Sequence, residues 1–140
     1  LNECISIADV VVDCSDNFAT RFAINAACVK AAKPLVSGAA IRSEGQVAVF
    51  DGSCPDAPCY RCLYDSDAQT QQPACSEAGV LSPVVGVIGS MQALETIKLL
   101  TGYGNTLLGR LLIFDGASSE WRQLRLQKDA HCPVCGPASA

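Results

Sequence analysis

The chain sets short β-branched runs between longer Ala-rich stretches, a rhythm that predicts an α/β domain. Residues 8–13, Ala-Asp-Val-Val-Val-Asp, form a brief apolar run of the kind that becomes a buried parallel strand. Ser15, Asp16 and Asn17 follow, all favourable helix N-caps. Residues 18–33 then read as a helix whose apolar positions include Phe18, Phe22, Ala26 and Val29. Pro34 ends it, and Leu35, Val36 and Ser37 open a second strand. Strand, helix and strand make a β–α–β unit, which predicts parallel pairing through a right-handed crossover. Residues 45–50 alternate, Val47 and Val49 against Gln46 and Ala48, and read as a third strand.

The pattern then breaks. Residues 51–82 are rich in Pro, Cys, Asp and Gln and show no period. A structureless loop of this length is uncommon in a compact domain, so it reads as a functional crossover, partly pinned by metal and partly mobile. Residues 84–101 give the clearest helix, with Val87, Ile88, Met91, Leu94, Ile97 and Leu100 apolar and Gly102 as its C-cap. Gly86 and Gly89 on it leave room for close packing. Residues 110–115 and 120–126 read as strands joined in a hairpin by the turn Gly116-Ala-Ser-Ser119.

Composition narrows the function. At 140 residues the chain has about one domain's length, and 49% hydrophobic content is enough for a real core. A formal net charge of −4 argues against a nucleic-acid partner. No uninterrupted apolar run is long enough to span a bilayer, and no export signal stands at the front, so no membrane partner is expected. The first residue is Leu1 rather than Met, so the chain is expected to be a piece lacking an N-terminal part. Nine cysteines are an odd number for a disulfide framework, and four of them fall in two CxxC pairs. A reducing cytoplasm with a metal site accounts for that better.

Those pairs are Cys59-Tyr-Arg-Cys62 and Cys132-Pro-Val-Cys135. Each offers two thiolates from one turn, and together they complete a tetrahedral Zn²⁺ shell that neither closes alone. The competing reading is a redox dithiol or two local disulfides; neither pair opens a helix straight after a strand, as a thioredoxin-like motif does. A closed shell of four thiolates has no open position for water, so such a zinc stabilises and does not catalyse. Asp13-Cys14-Ser15-Asp16-Asn17 lies at the carboxyl end of a predicted parallel strand, where open α/β sheets bind ligands. A carboxylate there can hold Mg²⁺ against phosphates; the plainer role for Asp16 or Asn17 is helix capping. Cys75, outside the pairs, is either a loop nucleophile or sulfur carrier, or a spare thiol. Cys4, Cys14, Cys28 and Cys54 read as packing residues, and His131 as a neighbour of the metal shell or a surface residue. Arg21 and Arg42 either reach phosphate or serve the structure.

Several motifs recur in one order: Asp9–Asn17 with Arg21, Pro34-Leu-Val-Ser-Gly38, Gly45-Gln46, Cys59-Tyr-Arg-Cys62 and Cys75-x-x-Ala-Gly79-Val. Pro83-x-x-Gly86-x-x-Gly89, Gln92-Ala93-x-Glu95-x-Ile97-Lys98 and Cys132-Pro-Val-Cys135-Gly136 complete them. Over nearly its whole length the chain resembles the C-terminal part of the ThiF/MoeB/HesA proteins, bacterial relatives of ubiquitin-activating enzymes. The resemblance implies the second half of a Rossmann-like, mostly parallel sheet with an antiparallel extension and a four-cysteine zinc knuckle pair. It implies an adenylyltransferase that binds MgATP and attaches AMP to the C-terminal Gly-Gly carboxylate of a ubiquitin-like sulfur carrier protein. By the family's pattern Asp16 and Asn17 would sit at the nucleotide, with Asp16 holding Mg²⁺. Cys75 would be the loop cysteine that in some members joins the carrier or passes sulfur, and Cys59, Cys62, Cys132 and Cys135 the zinc ligands. A homodimer is implied as well.

One departure stands out. The family's Gly-rich phosphate loop and the Arg and Lys after it would precede Leu1, and no GxGxxG occurs in residues 1–140. Gly86-x-x-Gly89 falls inside a helix. Residues 1–140 alone are therefore expected not to adenylate. Phe114-Asp-Gly-x-Ser-Ser119 with Trp121-Arg122 resembles the thiamin branch, whereas Ser37-Gly-Ala-Ala-Ile-Arg42-x-Glu-Gly-Gln46 resembles the molybdopterin branch. The alternative function is a non-catalytic zinc-stabilised scaffold that docks a carrier protein or a second subunit, for which Asp16 and Cys75 would be dispensable.

Overall fold

The computed structural model describes residues 1–65 and 78–137. The polar stretch of the crossover after Asp65, and Cys75 with it, lies outside the described residues. The chain opens with α1 (Asn2–Ile7), β1 (Val11–Asp13), α2 (Phe18–Ala31), β2 (Pro34–Ile41) and β3 (Glu44–Asp51). It continues with α3 (Tyr60–Leu63), α4 (Ser82–Thr101), β4 (Arg110–Asp115) and β5 (Glu120–Arg125). The five strands form one sheet in sequence order.

β1 pairs with β2 in parallel, as the β–α–β pattern requires, from Val11↔Leu35 to Asp13↔Ser37. The other three pairings are antiparallel. The antiparallel extension is thus the larger part of the sheet in these residues. Its cause is local: Arg42 and Ser43 alone join β2 to β3, far too few residues for a parallel crossover. Arg42 takes a left-handed φ of 53° to make that turn.

Alternation along β2 and β3 distributes the core to two faces. Leu35, Ala48 and Phe50 point to one side, with Ile5 of α1, Ala27 and Cys28 of α2, and Tyr60 of α3. Val36, Val47 and Val49 point to the other, with Leu107 and, on α4, Met91 and Leu99. The three valines are fully buried. Each contributes on the order of 1.5–3 kcal/mol to burial. The domain is therefore a sheet with α1, α2 and α3 on one face and α4 on the other.

Both long helices depart from the predicted apolar faces. On α2 the buried residues are Arg21, Asn25, Ala27 and Cys28, and Ala26 is exposed. On α4 they are Val84, Ile88, Gln92 and Glu95, while Val85, Leu94, Ile97 and Leu100 are exposed. Polar residues occupy the sheet-facing side because each has a partner there. Glu95, with no exposed surface, pairs with Lys98 Nζ at 2.7 Å and accepts the Leu107 N–H at 2.8 Å, which pins the approach to β4. By length and mean hydropathy (1.3) α4 would qualify to cross a bilayer. Here it lies on β2 and β3, and two buried polar side chains fix it there.

Helix ends follow local chemistry. The Asn17 side chain caps α2 by accepting the Thr20 N–H at 2.8 Å. Gly102 closes α4 with φ 70°, as predicted, and donates its N–H to Lys98 O at 2.9 Å. A Cβ at Gly86 or Gly89 meets nothing within 4 Å, so neither glycine serves close packing among the described residues.

Candidate functional site

Two clusters of chemistry lie on either side of α2. The first is at the carboxyl end of β1. Asp13 is buried there, and its Oδ1 accepts the Ser15 N–H at 2.8 Å, turning the chain out of the strand. Arg21, buried on α2, donates to the Ser15 carbonyl from Nε at 3.2 Å and Nη2 at 2.8 Å. Its guanidinium also lies 5.7 Å from the Phe18 ring centroid. Arg21 is thus committed to the loop backbone, the structural one of its two expected roles.

This loop borders a cavity of about 330 Å³. Cys14, Ser15 and Asp16 line one side, Gly38, Ala39 and Ala40 another, and Ile88, Gly89 and Gln92 the α4 side. Asp16 is exposed, and among the described residues its Oδ1 meets only the Asn17 amide, at 3.4 Å. Its carboxylate therefore has free oxygen ligands at the position where α/β sheets hold phosphates and hard cations. Asn17, by contrast, has its side-chain oxygen occupied by the cap. Arg42 lies at the β2–β3 turn, where its backbone pairs with Val80.

The second cluster is at α3 and the C-terminal turn. The Sγ atoms of Cys59, Cys62, Cys132 and Cys135 all lie within 4.8 Å of one another. Cys59 and Cys132 are 3.8 Å apart, Cys62 and Cys135 3.4 Å. A tetrahedral ion with bonds of about 2.3 Å sets sulfur pairs roughly 3.8 Å apart, so the donor set fits one. All four cysteines are free of disulfides. Two backbone turns shape the cluster: the Cys62 N–H reaches Cys59 O at 3.0 Å, and the Gly136 N–H reaches Cys132 O at 2.9 Å. Gly136 is required there, since a Cβ would lie 2.4 Å from the Cys132 carbonyl oxygen. Burial pushes the Cys59 thiol up, against the hydrogen bond from Asn25. A bound cation would remove that penalty by taking thiolates. His131 is exposed and among the described residues its only ionic neighbour is Asp129, at 4.0 Å, so it takes the expected surface role.

Asn25 is the link that sequence reasoning missed. Buried on α2, it donates Nδ2 to Cys59 Sγ at 3.5 Å and accepts the Tyr60 N–H on Oδ1 at 2.9 Å. Tyr60 and Tyr64 then pack their rings against Phe22 and Phe18. Burial pushes the Tyr60 hydroxyl up to about 12, with the nearby Arg21 charge pulling the other way. That hydroxyl makes no hydrogen bond of good geometry among the described residues. The signal for Asn25 was faint: a polar residue three after Phe22, one position off the face that the aromatics suggested.

The fold and the two clusters define a class: an α/β domain whose sheet joins a parallel β1–β2 pair to an antiparallel extension, with a carboxylate at the strand end and four clustered thiols that could hold a metal ion. The ThiF family pattern matches residues 1–134, and the chain belongs to the ThiF family. It is 49% identical over 140 residues to the sulfur carrier protein ThiS adenylyltransferase of Escherichia coli strain K12. It is 48% identical over 134 residues to the molybdopterin-synthase adenylyltransferase of the same organism. These matches cover 100% and 91% of this chain, and the chain spans 55% and 51% of those two relatives. Among solved structures, E. coli MccB superposes with a TM-score of 0.76 at 16% identity, over 95% of this chain and 41% of MccB. That likeness is one of fold.

Proposed function

We propose that this chain forms part of an ATP-dependent adenylyltransferase acting on a ubiquitin-like sulfur carrier protein of the ThiS or MoaD kind. The reading is carried by near-half identity to two named adenylyltransferases across almost the whole chain. In the proposed reaction a carboxylate oxygen of the carrier's C-terminal Gly-Gly attacks the α-phosphorus of ATP. The bond to the pyrophosphate breaks, giving an acyl adenylate and free pyrophosphate. The acyl adenylate is then ready to accept sulfur.

Asp16 is assigned to the magnesium of MgATP. Its open oxygens beside the 330 Å³ cavity support that role. Asn17 is assigned to the rim of the same nucleotide site, through the cap it provides. Cys75 is assigned to the later step, joining the carrier or passing sulfur. Cys59, Cys62, Cys132 and Cys135 are assigned to one structural zinc, whose chemistry is that of a cross-link. The apolar outer face of α4, with Val85, Leu94, Ile97 and Leu100, supports assembly as a homodimer. Free cysteines suit a reducing, cytoplasmic setting. Because residues 1–140 contain no Gly-rich phosphate loop, they hold only part of the ATP site.

The test is ATP–pyrophosphate exchange by the full-length protein with ThiS-like and MoaD-like carriers in separate reactions. Exchange that depends on one carrier and its terminal Gly-Gly supports the reading and names the branch. No exchange with either overturns it in favour of a docking scaffold, whereas full exchange by Asp16→Asn removes Asp16 from the magnesium site.

A further inference from the structure

Gln92 lies where α4 crosses the carboxyl ends of β1 and β2, and it is buried. Its Nε2 donates to Asp13 O at 2.8 Å and reaches Val36 O at 3.4 Å. Its Oε1 accepts the Cys14 thiol at 3.5 Å. The parallel pairing ends at Asp13 and Ser37, so the amide fills the notch where the two strands part. Gly38 makes that notch: a Cβ there would lie 2.2 Å from Gln92 Cδ.

The helical pattern alone would place an apolar residue four after Ile88, and burying an amide costs free energy unless its hydrogen bonds are made. Here the bonds go to the chain that leads into Asp16 and to the strand beside it. Arg21 holds the Ser15 carbonyl from the opposite face of the sheet. The exit of β1 is therefore gripped from both sides, one residue before Asp16 on the α2 side and three before it on the α4 side.

We propose that Gln92, seated against Gly38, is a positioning residue for the nucleotide step: it fixes the exit of β1 so that the Asp16 carboxylate stays at the cavity. This rests on the assignment of Asp16 made above.

The experiment uses the full-length enzyme with its carrier and follows ATP–pyrophosphate exchange while Mg²⁺ is titrated at fixed ATP. Gln92→Met keeps the volume and removes the hydrogen bonds. It is expected to raise the Mg²⁺ concentration for half-maximal rate about tenfold, the scale of one buried hydrogen bond. The maximal rate should fall less. Gly38→Ala, which pushes the amide out, should shift the Mg²⁺ requirement in the same direction. The double variant Gly38→Ala/Gln92→Ala should be no worse than Gln92→Ala alone, because the added methyl enters the space that the amide vacated. Melting temperatures and the alkylation rate of Cys14, mapped by mass spectrometry, are read in parallel. If Gln92→Met does not fold, Gly38→Ala and the double variant still decide.

A folded Gln92→Met with an unchanged Mg²⁺ requirement overturns the proposal, and so do strictly additive losses in the double variant. Asp16→Asn separates the two levels. If it abolishes exchange while Gln92→Met matches the wild type, only the positioning role falls. If Asp16→Asn leaves exchange and its Mg²⁺ dependence intact, the nucleotide assignment itself falls.

Discussion

Arg21 and Asn25 stand one turn apart on the buried face of α2 and hold opposite clusters: Arg21 grips the Ser15 carbonyl, Asn25 the thiol of Cys59 and the N–H of Tyr60. A single helical turn thus joins the β1 exit to the thiol knuckle. Neither residue belongs to the apolar pattern from which the helix was predicted.

Asn25→Ala should destabilise the domain by about 1–3 kcal/mol, since it leaves the buried Tyr60 N–H without its acceptor. Urea denaturation at neutral pH with metal bound measures this. A loss below a few tenths of a kcal/mol would mean that the amide finds another partner.

Native residues 1–140 should carry one zinc per chain. Chelation should lower the melting temperature by well over the 4–8 °C typical of about 1 kcal/mol in a small domain. Four thiols should become titratable as the ion leaves. Absence of metal, with disulfides in its place, would return the CxxC pairs to the redox reading.

Tyr60 gives a pH prediction with a definite sign. Burial raises its hydroxyl to about 12, above the value near 10 of an unfolded tyrosine. The fold favours the neutral phenol, so this contribution is complete below about pH 10 and is lost as pH rises through about 12. Tyr60→Phe should change stability by under about 1 kcal/mol at pH 7, because the hydroxyl has no good hydrogen bond to lose. It should also make the alkaline decline shallower than in the wild type. Stability measured from pH 9 to 11.5 in both proteins tests this; parallel curves would contradict it.

Cys75→Ser in the full-length enzyme should leave carrier-dependent ATP–pyrophosphate exchange within about twofold of wild type while abolishing transfer of sulfur to the carrier. The oxygen nucleophile forms no persulfide or disulfide. Unimpaired sulfur transfer would make Cys75 the spare thiol of its plainer reading.

Purified residues 1–140 should bind zinc yet give no measurable exchange, having no Gly-rich phosphate loop. Robust exchange would show that the β1 exit and its cavity suffice for the triphosphate.

The elements were largely legible because their signals are local. Pro34, Gly102 and the Gly116–Ser119 turn mark boundaries by backbone geometry, and the hairpin of β4 and β5 followed directly. The thiol cluster was legible because CxxC spacing fixes two ligands per turn, and metal geometry requires the pairs to meet. The buried faces of α2 and α4 were not, because periodicity counts apolar residues while these faces are built on Arg21, Asn25, Gln92 and Glu95. Asn25 and Gln92 have partners far along the chain, which no local window contains, while Arg21 and Glu95 are bonded to nearer residues whose meeting depends on the fold of the loops beside them. The strand β1 came out shorter than predicted, starting at Val11, because the preceding residues follow α1 rather than the ladder.

The thiol knuckle joins residues 73 positions apart, Cys59 to Cys132 and Cys62 to Cys135. Held by an ion, that junction closes a circuit enclosing α4, β4 and β5. By chain-entropy arithmetic a permanent bridge over such a span is worth roughly 4 kcal/mol. Unlike a disulfide it endures in a reducing medium and opens when the ion is withdrawn. A single peptide bond cut between Cys62 and Cys132 would leave both pieces tethered, so chelation, not proteolysis, would decide when this domain comes apart.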